Sequence, residues 1–282
     1  MERVGYYNGQ IGNVDEMTIP LCDRSVFFGD AVYEAVLVLD KKPFALDLHL
    51  DRLYNSLKLT KIPFTMARDT LKKVIDKIMA LSEGQQTMLY IQVSRGNAPR
   101  KHEFPQNAKH NLMMSITPLT LPSKDKKASL ITIEDRRFTY CNIKTVNLLP
   151  NIFAAQKAHE ENATEVLQQR GDRLTEAAHS SILILKDSTL IMPPLDEFIL
   201  PGITRLILEN LCKDNGIATQ TRIITVDEVF EADEIILCST TKNILYVNTI
   251  DGKAVGGKDP ALAEKLQTIF LNEIYKQTGV QL

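Results

Sequence analysis

Residues 141–150 read Cys141-Asn142-Ile143-Lys144-Thr145-Val146-Asn147-Leu148-Leu149-Pro150, and no other stretch of the chain says as much about the fold. Lys144 stands alone among apolar and small polar residues, and a proline that can begin a helix follows. A lysine in partly desolvated surroundings loses some of its preference for the charged form. The stretch therefore predicts either a reactive amine or, more commonly, a lysine whose stem covers the core while its charge stays in water.

A neutral lysine amine can attack an aldehyde, and the usual aldehyde that proteins hold in this way is pyridoxal phosphate. Lys144 is therefore a candidate for attaching this cofactor. Other segments must then bind its phosphate, keep its ring nitrogen protonated and bind the carboxylate of a substrate.

Composition and charge indicate a soluble globular protein. Hydrophobic residues make up 44% of the 282 residues and charged residues 24%, which is an ordinary balance for that class. The net charge of −2 gives no general attraction to nucleic acid or to an anionic membrane. The N-terminus lacks a secretory pattern, and the four scattered cysteines without a CxxC pair argue against a metal site or disulfides. We expect a cytoplasmic protein without nucleic-acid, membrane or metal partners.

Strand and helix patterns alternate through the first half of the chain. Leucines at positions 46, 50, 53 and 57 predict a helix that leaves Arg52 beside its apolar face and not on it. A second helix is predicted from about Thr65, its N-cap. The remaining predicted elements are a hairpin that begins with Val4–Tyr7 and turns at Asn8-Gly9, a loop at 25–30 leading into an apolar strand, and strands at 88–94 and 112–117.

The segment 118–127, with two prolines and a run of charges, is the best linker candidate. Strand and helix patterns are mixed on both sides of it, which predicts an α+β (mixed α/β) fold in two domains. We place a small N-terminal α/β domain at residues 1–120 and a larger C-terminal domain, which carries Lys144, at residues 121–282. Cofactor sites favour domain interfaces, so we expect the cofactor there. The C-terminal domain is predicted to have strands at 129–133, 165–168, 182–185, 189–192 and 234–238, and helices from Pro150, after Gly202 and over 260–277.

Two segments could bind a phosphate. Leu200-Pro201-Gly202-Ile203-Thr204-Arg205 opens a predicted helix, and the first N–H groups of a helix attract anions. Ser239-Thr240-Thr241 offers three hydroxyls after a buried strand, and Arg52 could add a positive charge. Each of these three features also has a plainer interpretation. Residues 200–205 would be a turn with a helix cap, residues 239–241 a turn after a strand, and Arg52 a solvent-exposed helix charge.

A protonated ring nitrogen calls for a buried carboxylate, and Glu176 is the candidate because an apolar strand follows it. A substrate carboxylate favours a planar bidentate donor. The loop at 95–102 supplies Arg100 and His102, which lie on the same side if this piece is extended. An exposed glutamate and a solvated basic loop are the alternatives.

These segments together resemble the class IV aminotransferases, the pyridoxal-phosphate enzymes of fold type IV, over nearly the whole chain and in the correct order. Within that family the chain looks most like the D-amino acid aminotransferases. The resemblance is carried by Phe28-Gly29-Asp30 with Tyr33-Glu34, His49-Leu50-Asp51-Arg52-Leu53, Gln92-Val93-Ser94-Arg95-Gly96, Ile143-Lys144-Thr145 with Asn147-Leu148-Leu149, Leu174-Thr175-Glu176, Gly202-Ile203-Thr204-Arg205 and Ser239-Thr240-Thr241.

The resemblance implies a role for each matching position. Lys144 corresponds to the catalytic lysine, which attaches pyridoxal phosphate and moves a substrate proton, and Glu176 to the partner of the pyridine nitrogen. The other implied site residues are Arg52, Ile203, Thr204, Ser239 and Thr240 for the phosphate, Leu200 against the ring, and Tyr33, Arg100 and His102 for the substrate carboxylate. Branched-chain aminotransferases generally lack the Arg-x-His pair, so this pair narrows the substrate.

Two departures from the family pattern lie next to these positions. Ala177-Ala178-His179-Ser180-Ser181 replaces a glycine and a serine run that ends in asparagine, and Lys242-Asn243 stands where an acidic residue is usual. Both bring in a basic or titratable group. We expect His179 to be a hydrogen-bonded structural residue and not a new catalytic group.

The resemblance implies a homodimeric transaminase that acts on a D-amino acid, such as D-alanine, and a 2-oxo acid. Three alternatives stay open: a branched-chain L-amino acid aminotransferase, an aminodeoxychorismate lyase, and a pyridoxal-phosphate-binding protein without turnover. His179 and Lys242 are the reason for keeping the last of these.

Overall fold

A computed structural model describes all 282 residues, which form two units. Unit 1 contains Met1–Thr120 and Ile143–Asn147, and unit 2 contains Leu121–Asn142 and Leu148–Leu282. Lys144 was predicted to lie in the C-terminal domain, whereas its segment groups with unit 1. The reason is that the backbone of this segment pairs with the strand that begins at Ala31.

Unit 1 has six strands, three α-helices and one short 3-10 helix. Its elements are β1 (Val4–Tyr7), β2 (Gln10–Asn13), the 3-10 helix Val14–Glu16, α1 (Arg24–Phe28), β3 (Ala31–Leu39), β4 (Lys42–Pro43), α2 (Leu46–Thr60), α3 (Arg68–Ala80), β5 (Gln86–Ser94) and β6 (Asn111–Pro118). The strands form one antiparallel sheet in the order β2-β1-β6-β5-β3-β4. The hairpin, both long helices and the two later strands predicted from the sequence are confirmed.

The core of unit 1 forms where α2 and α3 meet the sheet. Leu50, Leu53 and Leu57 of α2 are buried in one cluster with apolar side chains of α3, β3, β5 and β6. The predicted N-cap Thr65 is wrong, because α3 begins at Arg68 after Ala67. The chain before it stays extended and is tied down by the Tyr54 hydroxyl, which donates to Met66 O over 2.9 Å.

The predicted loop at 25–30 contains a five-residue helix, α1, that ends at Gly29. Gly29 has a φ of 62°, and a Cβ there would lie 2.6 Å from Asn147 Oδ1. The Asn147 amide in turn donates to Gly29 O over 2.9 Å. Position 29 therefore requires glycine for two reasons: the left-handed turn and the close approach of the Lys144 segment.

Unit 2 has nine strands and four α-helices. Its elements are β7 (Lys127–Glu134), α4 (Leu149–Glu160), β8 (Glu165–Arg170), β9 (Arg173–Leu174), β10 (Ser181–Lys186), β11 (Thr189–Met192), α5 (Ile203–Asp214), β12 (Ala218–Thr221), α6 (Val226–Glu231), β13 (Glu234–Ser239), β14 (Asn243–Ile250), β15 (Lys253–Ala254) and α7 (Pro260–Thr278). The strands form one mixed sheet in the order β12-β11-β10-β13-β14-β7-β8-β9, and β15 pairs with β14.

The interior of the sheet in unit 2 is buried, and it positions the polar loops that connect the strands. The apolar strand predicted after Glu176 is β10, which lies inside the sheet between β11 and β13. All five strands and three helices predicted for this region are confirmed, whereas α6 and the strands β9, β12, β14 and β15 were missed. The chain thus mixes α and β structure as predicted. Among the seven α-helices, none combines the length and the apolar character that a bilayer-spanning helix needs.

Candidate active site

The backbone of Lys144 is held against the start of β3. Tyr33 N–H donates to Lys144 O over 2.9 Å, and Val146 N–H donates to Ala31 O over 3.3 Å. Val32 and Thr145 form an antiparallel bridge between these two bonds. The position of the Lys144 backbone is therefore fixed by the sheet of unit 1.

The side chain of Lys144 lies over an aromatic face and has no carboxylate partner. Its Nζ is 4.3 Å from the centroid of the Tyr33 ring, a cation–π contact of about 0.5–1 kcal/mol at such sites. Tyr33 stacks on Tyr90 with ring centroids 5.4 Å apart, and the Tyr90 hydroxyl donates to Gln92 Oε1. The structure thus brings together two predicted site residues, Lys144 and Tyr33, and Tyr90 stacks on the Tyr33 ring that Lys144 contacts.

A buried ion pair fixes Arg52. Its Nε and Nη2 donate to the two carboxylate oxygens of Glu34 over 2.7 and 2.8 Å, and Glu34 is 0% exposed. Glu34 alternates with Tyr33 along β3, so it points to the opposite face of the sheet, toward α2. Arg52 is therefore buried, and the predictions that it lies off the apolar face or is a solvent-exposed charge are wrong. The buried carboxylate supplies the counter-charge.

His49 completes this cluster from one turn earlier in α2. Its Nδ1 lies 2.7 Å from Glu34 Oε2. Burial lowers the pKa of His49, as do the positive charges of Arg52 and Lys144, and Glu34 only partly offsets them. Burial alone would raise the pKa of Glu34, but Arg52 and His49 lower it to about 2. At neutral pH the imidazole is uncharged and donates its Nδ1 proton to an ionised Glu34.

Glu176 is buried in unit 2 between an arginine and a backbone amide. Arg137 Nη1 donates to its Oε1, and Leu200 N–H donates to its Oε2 over 3.1 Å. Burial raises the pKa of Glu176, while Arg137 and the Leu200 N–H oppose that rise. The candidate glutamate is therefore a buried group and not an exposed loop residue, and Leu200 lies directly against it.

Asp135 and Arg137 were not predicted from the sequence. Arg137 donates from Nε and Nη2 to Asp135 over 2.9 and 2.8 Å, and Asp135 also accepts from Arg170 and from the Thr175 hydroxyl over 3.0 Å each. Burial alone would raise the pKa of Asp135, but Arg137 and Arg170 hold it well below its usual range. Arg137 precedes Glu176 by 39 positions, so no local spacing indicated this pair.

The predicted phosphate segments lie at a helix start and in a strand turn. α5 begins at Ile203 after Gly202, and no side chain caps its first N–H groups. Ile203 and Thr204 are the first two residues of this helix. Ser239 ends β13 and Thr240 begins the turn to β14, with Ser239 Oγ 3.5 Å from Thr241 Oγ1. Both segments therefore present groups that can donate to an anion.

Arg100 and His102 meet on one aromatic ring in unit 1. The Arg100 guanidinium carbon is 5.3 Å from the centroid of Phe28, and the His102 ring centroid is also 5.3 Å from it. Both residues are exposed. The loop is not a strand, yet the two predicted donors lie together because they share Phe28.

The chain is similar to known proteins over most of its length. The sequence model of a family described as "Amino-transferase class IV" matches residues 31–250. The chain belongs to the class IV aminotransferases. It is 33% identical over 276 residues to a D-alanine aminotransferase of Bacillus licheniformis, covering 97% of this chain and 98% of that one.

Solved branched-chain aminotransferases share the fold. The T.th. enzyme, solved with pyridoxamine 5′-phosphate, superposes with a TM-score of 0.88 at 21% identity, over 98% of this chain and 94% of that one. The enzyme of Thermoproteus uzoniensis, solved with norvaline, gives 0.87 at 21% identity over 97% and 96%. The predicted family, fold class and aminotransferase activity are confirmed. Class IV aminotransferases depend on pyridoxal phosphate, so the predicted cofactor is confirmed at the level of the family.

Arg205 tests whether the residues of unit 2 fit an anionic cofactor. This third residue of α5 is 3% exposed, and its Nη1 has no hydrogen-bond partner. Burial lowers the pKa of Arg205, which shows how far it is removed from water. A buried guanidinium donor without an acceptor next to an uncapped helix start fits a ligand that carries negative charge. The donor set therefore suits the phosphate of this family's cofactor.

His179 and Lys242, which depart from the family pattern, both contact the buried carboxylate of Glu165. Glu165, which is 0% exposed, accepts from Lys242 Nζ over 3.0 Å, from His179 N–H over 2.7 Å and from the Ser180 hydroxyl over 2.7 Å. Lys242 Nζ also lies 2.5 Å from His179 Nε2, and His179 Nδ1 lies 3.3 Å from Glu165. Both imidazole nitrogens are thus engaged, which supports a structural role for His179.

We predict that Glu34→Gln lowers the free energy of unfolding by about 3–5 kcal/mol, because it leaves a buried arginine without its counter-charge. Urea denaturation at several pH values would measure this. Because folding lowers the pKa of Glu34 from 4.5 to about 2, its contribution is present above pH 4.5 and is lost as the pH falls toward 2. The difference between variant and wild type should shrink over that range. Glu83→Gln, at an exposed ion pair, is the control, and an equally stable Glu34→Gln would contradict the assignment.

We also predict that Lys242→Met destabilises the protein more than His179→Ser does. Loss of the lysine removes the cation from a fully buried Glu165, an effect of about 3–5 kcal/mol for buried pairs. His179→Ser keeps the backbone N–H that binds Glu165. Urea denaturation of both variants, with the exposed Lys253→Met as control, would decide this. A larger loss from His179→Ser would show that the imidazole and not the lysine compensates Glu165.

Proposed function

We propose that this class IV aminotransferase moves an amino group between a D-amino acid, such as D-alanine, and a 2-oxo acid. The observation that carries the proposal is the pairing of Arg100 and His102 on Phe28 in one loop of unit 1. A guanidinium and an imidazole held side by side can share one carboxylate through charge-assisted hydrogen bonds. The likeness to D-alanine aminotransferases along nearly the whole chain supports the same substrate class.

In unit 1, Lys144 would attach pyridoxal phosphate through its amino group. Its Nζ makes no ion pair and lies over the Tyr33 ring, so no carboxylate blocks access to the amine. Arg52, which Glu34 holds in place, would contribute its positive charge to phosphate binding. Tyr33 would orient the lysine and border the substrate.

In unit 2, Glu176 would bind the protonated ring nitrogen and Leu200 would pack against the ring. The buried position of Glu176 suits that role, because a carboxylate removed from water binds a cationic N–H strongly. Ile203 and Thr204 would donate their backbone N–H groups to the phosphate, and Ser239 and Thr240 would add hydroxyls.

The chemistry that pyridoxal phosphate supplies when bound is withdrawal of electrons from the substrate Cα, which makes the proton there acidic. Lys144 is the group placed to take that proton, because its amine is free of carboxylate partners and is oriented by Tyr33. Arg100 and His102 hold the substrate carboxylate and so determine which face of Cα meets the lysine.

Particular residues distinguish the proposed D-amino acid aminotransferase from the three alternative functions. A branched-chain L-amino acid aminotransferase or an aminodeoxychorismate lyase would use Lys144 and Glu176 but would not need the Arg100–His102 pair. A protein without turnover was considered because of His179 and Lys242. Their mutual contact and their attachment to Glu165 favour a structural role over interference with the reaction.

We further infer a cytoplasmic homodimer. Several large apolar side chains of unit 2 are more than half exposed, which is unusual for a surface that stays in water. They are Phe138, Tyr140, Leu149, Ile152, Phe153 and Leu195. All four cysteines are free, which suits a reducing compartment. Sedimentation of the purified protein would test the dimer.

The substrate class is tested by mixing the purified holoenzyme with single D- and L-amino acids and following the visible spectrum. D-alanine should convert the absorbance of the aldehyde cofactor to that of pyridoxamine phosphate, and L-branched-chain amino acids should not. Conversion by leucine or valine in their L forms alone would refute the proposal. No conversion by any amino acid would favour the protein without turnover.

Arg100→Ala should raise the KM for D-alanine about tenfold to 150-fold, since one charge-assisted hydrogen bond contributes roughly 1.5–3 kcal/mol. Cofactor affinity should stay unchanged, because the residue binds the substrate alone. Steady-state kinetics and cofactor titration would measure both. Lys101→Ala removes an exposed charge from the same loop and is the matched control. An unchanged KM for Arg100→Ala, with kcat unchanged, would show that the loop is a solvated surface.

A further inference from the structure

A buried arginine holds the backbone of the loop that carries Arg100 and His102. Arg24, which is 3% exposed, donates from Nη1 to Lys101 O over 2.6 Å and to Glu103 O over 3.4 Å, and from Nη2 to His102 O over 3.3 Å. One planar guanidinium therefore binds three successive carbonyls. Because Nη1 and Nη2 belong to one rigid guanidinium, these bonds together fix the path of the loop at residues 101–103.

A second buried arginine holds the end of the same loop. The guanidinium carbon of Arg95 lies 3.6 Å from the centroid of the Phe104 ring. Arg95 also donates to Thr60 O and to Lys61 O, each over 2.8 Å, so its position is fixed by the end of α2. The loop is thus anchored at residues 101–103 by backbone bonds and at residue 104 by an aromatic contact.

Asp30 joins the two arginines. Its carboxylate accepts from Arg24 Nε over 2.7 Å and from Arg95 Nε and Nη2 over 2.8 and 3.0 Å. Burial alone would raise the pKa of Asp30, but Arg95 and Arg24 outweigh it and hold this pKa below its usual range. Asp30 therefore holds both guanidinium groups in fixed positions beneath the loop.

Phe28 lies between this network and the two donors. Its ring centroid is 4.7 Å from the guanidinium carbon of Arg24, and it contacts Arg100 and His102 on the loop. Phe28 ends α1, the helix that begins with Arg24, and Asp30 follows two residues later. A single short turn therefore supplies the backbone clamp, the carboxylate that orients it and the ring under the donors.

We infer that Asp30, Arg24, Arg95 and Phe28 form a positioning network that sets Arg100 and His102 for binding the α-carboxylate of the amino-acid substrate. The network contacts the loop backbone and the side chains of Arg100 and His102. All of these contacts are between residues of the protein, and none involves the cofactor. This inference rests on the proposed function, because it takes Arg100 and His102 as the carboxylate donors. Its members act through those donors and are not catalytic residues.

Arg24→Lys tests the network with the charge retained. A lysine ammonium can reach one carbonyl or the Asp30 carboxylate but cannot bind all of them at once. The KM for D-alanine and the inhibition constant for propionate, which is D-alanine without its amino group, should both rise about tenfold or more. The kcat and the affinity for pyridoxal phosphate should stay within about twofold. Arg68→Lys, where a guanidinium of the same unit bridges carboxylates and a carbonyl, is the matched control and should change neither.

Hydrogen–deuterium exchange supplies a measurement that does not depend on activity. In the holoenzyme without substrate, the peptide covering residues 97–108 should exchange faster in Arg24→Lys than in wild type, with other peptides of unit 1 unchanged. Phe28→Leu is the second variant, because it removes the ring under the donors and leaves the buried ion pairs in place. It should also raise the KM for D-alanine, and it decides the matter if Arg24→Lys does not fold.

A higher KM with a mobile loop and an unchanged kcat supports the network. An unchanged KM in both Arg24→Lys and Phe28→Leu overturns it, whether or not the loop exchanges faster. Equal losses in kcat, cofactor affinity and KM also overturn it, since they indicate general damage. Failure of the proposed function looks different, because Arg100→Ala itself would then leave the KM unchanged.

Discussion

Charge is buried at many points in this protein, and the requirement that buried charge be neutralised organises the residues around the candidate site. Removing an ionised group from water costs several kcal/mol, so it persists only beside an opposite charge with good hydrogen bonds. Four groups of charged residues near the candidate segments show such pairing. The pairings are Glu34 with Arg52, Asp30 with Arg24 and Arg95, Asp135 and Glu176 with Arg137, and Glu165 with Lys242. Asp135 and Arg137 are close in sequence, whereas strands bring Glu165 and Lys242, or Arg137 and Glu176, together from distant parts of the chain.

Two cations in segments with a proposed role lack a carboxylate that binds them: Arg205, which is buried, and Lys144, which is half-buried. Arg205 is buried at the start of α5 with an unsatisfied Nη1, so the protein leaves a positive group for a ligand to neutralise. Lys144 rests on Tyr33 without a carboxylate, whereas Lys242 is bound both to Glu165 and to His179. The two lysines are therefore chemically different. The amine of Lys144 is available to react, and that of Lys242 is occupied in holding the loop after Glu176.

The sequence predicted most elements of the fold, because apolar spacing and turn residues are local signals. The family resemblance of the sequence also implied Lys144, Glu176 and the Arg100–His102 pair as site residues, and these roles stay predictions. The sequence could not predict that Arg52 is buried, since the cause is Glu34 on another element. The same holds for Arg137 beneath Glu176 and for the contact between His179 and Lys242. Long-range ion pairs have no sequence period, so only the folded structure shows them.

The proposed reaction depends on the amine of Lys144, and of no other lysine, attaching the cofactor. The most direct measurement is borohydride reduction of the holoenzyme, followed by proteolysis and mass spectrometry of the lysine-containing peptides. We expect the mass of the reduced cofactor on the peptide that contains Lys144. The Lys144→Ala variant should carry no covalent cofactor, and its urea denaturation should be unchanged. Attachment to Lys242, or to any other lysine of the wild-type protein, would contradict the assignment of Lys144.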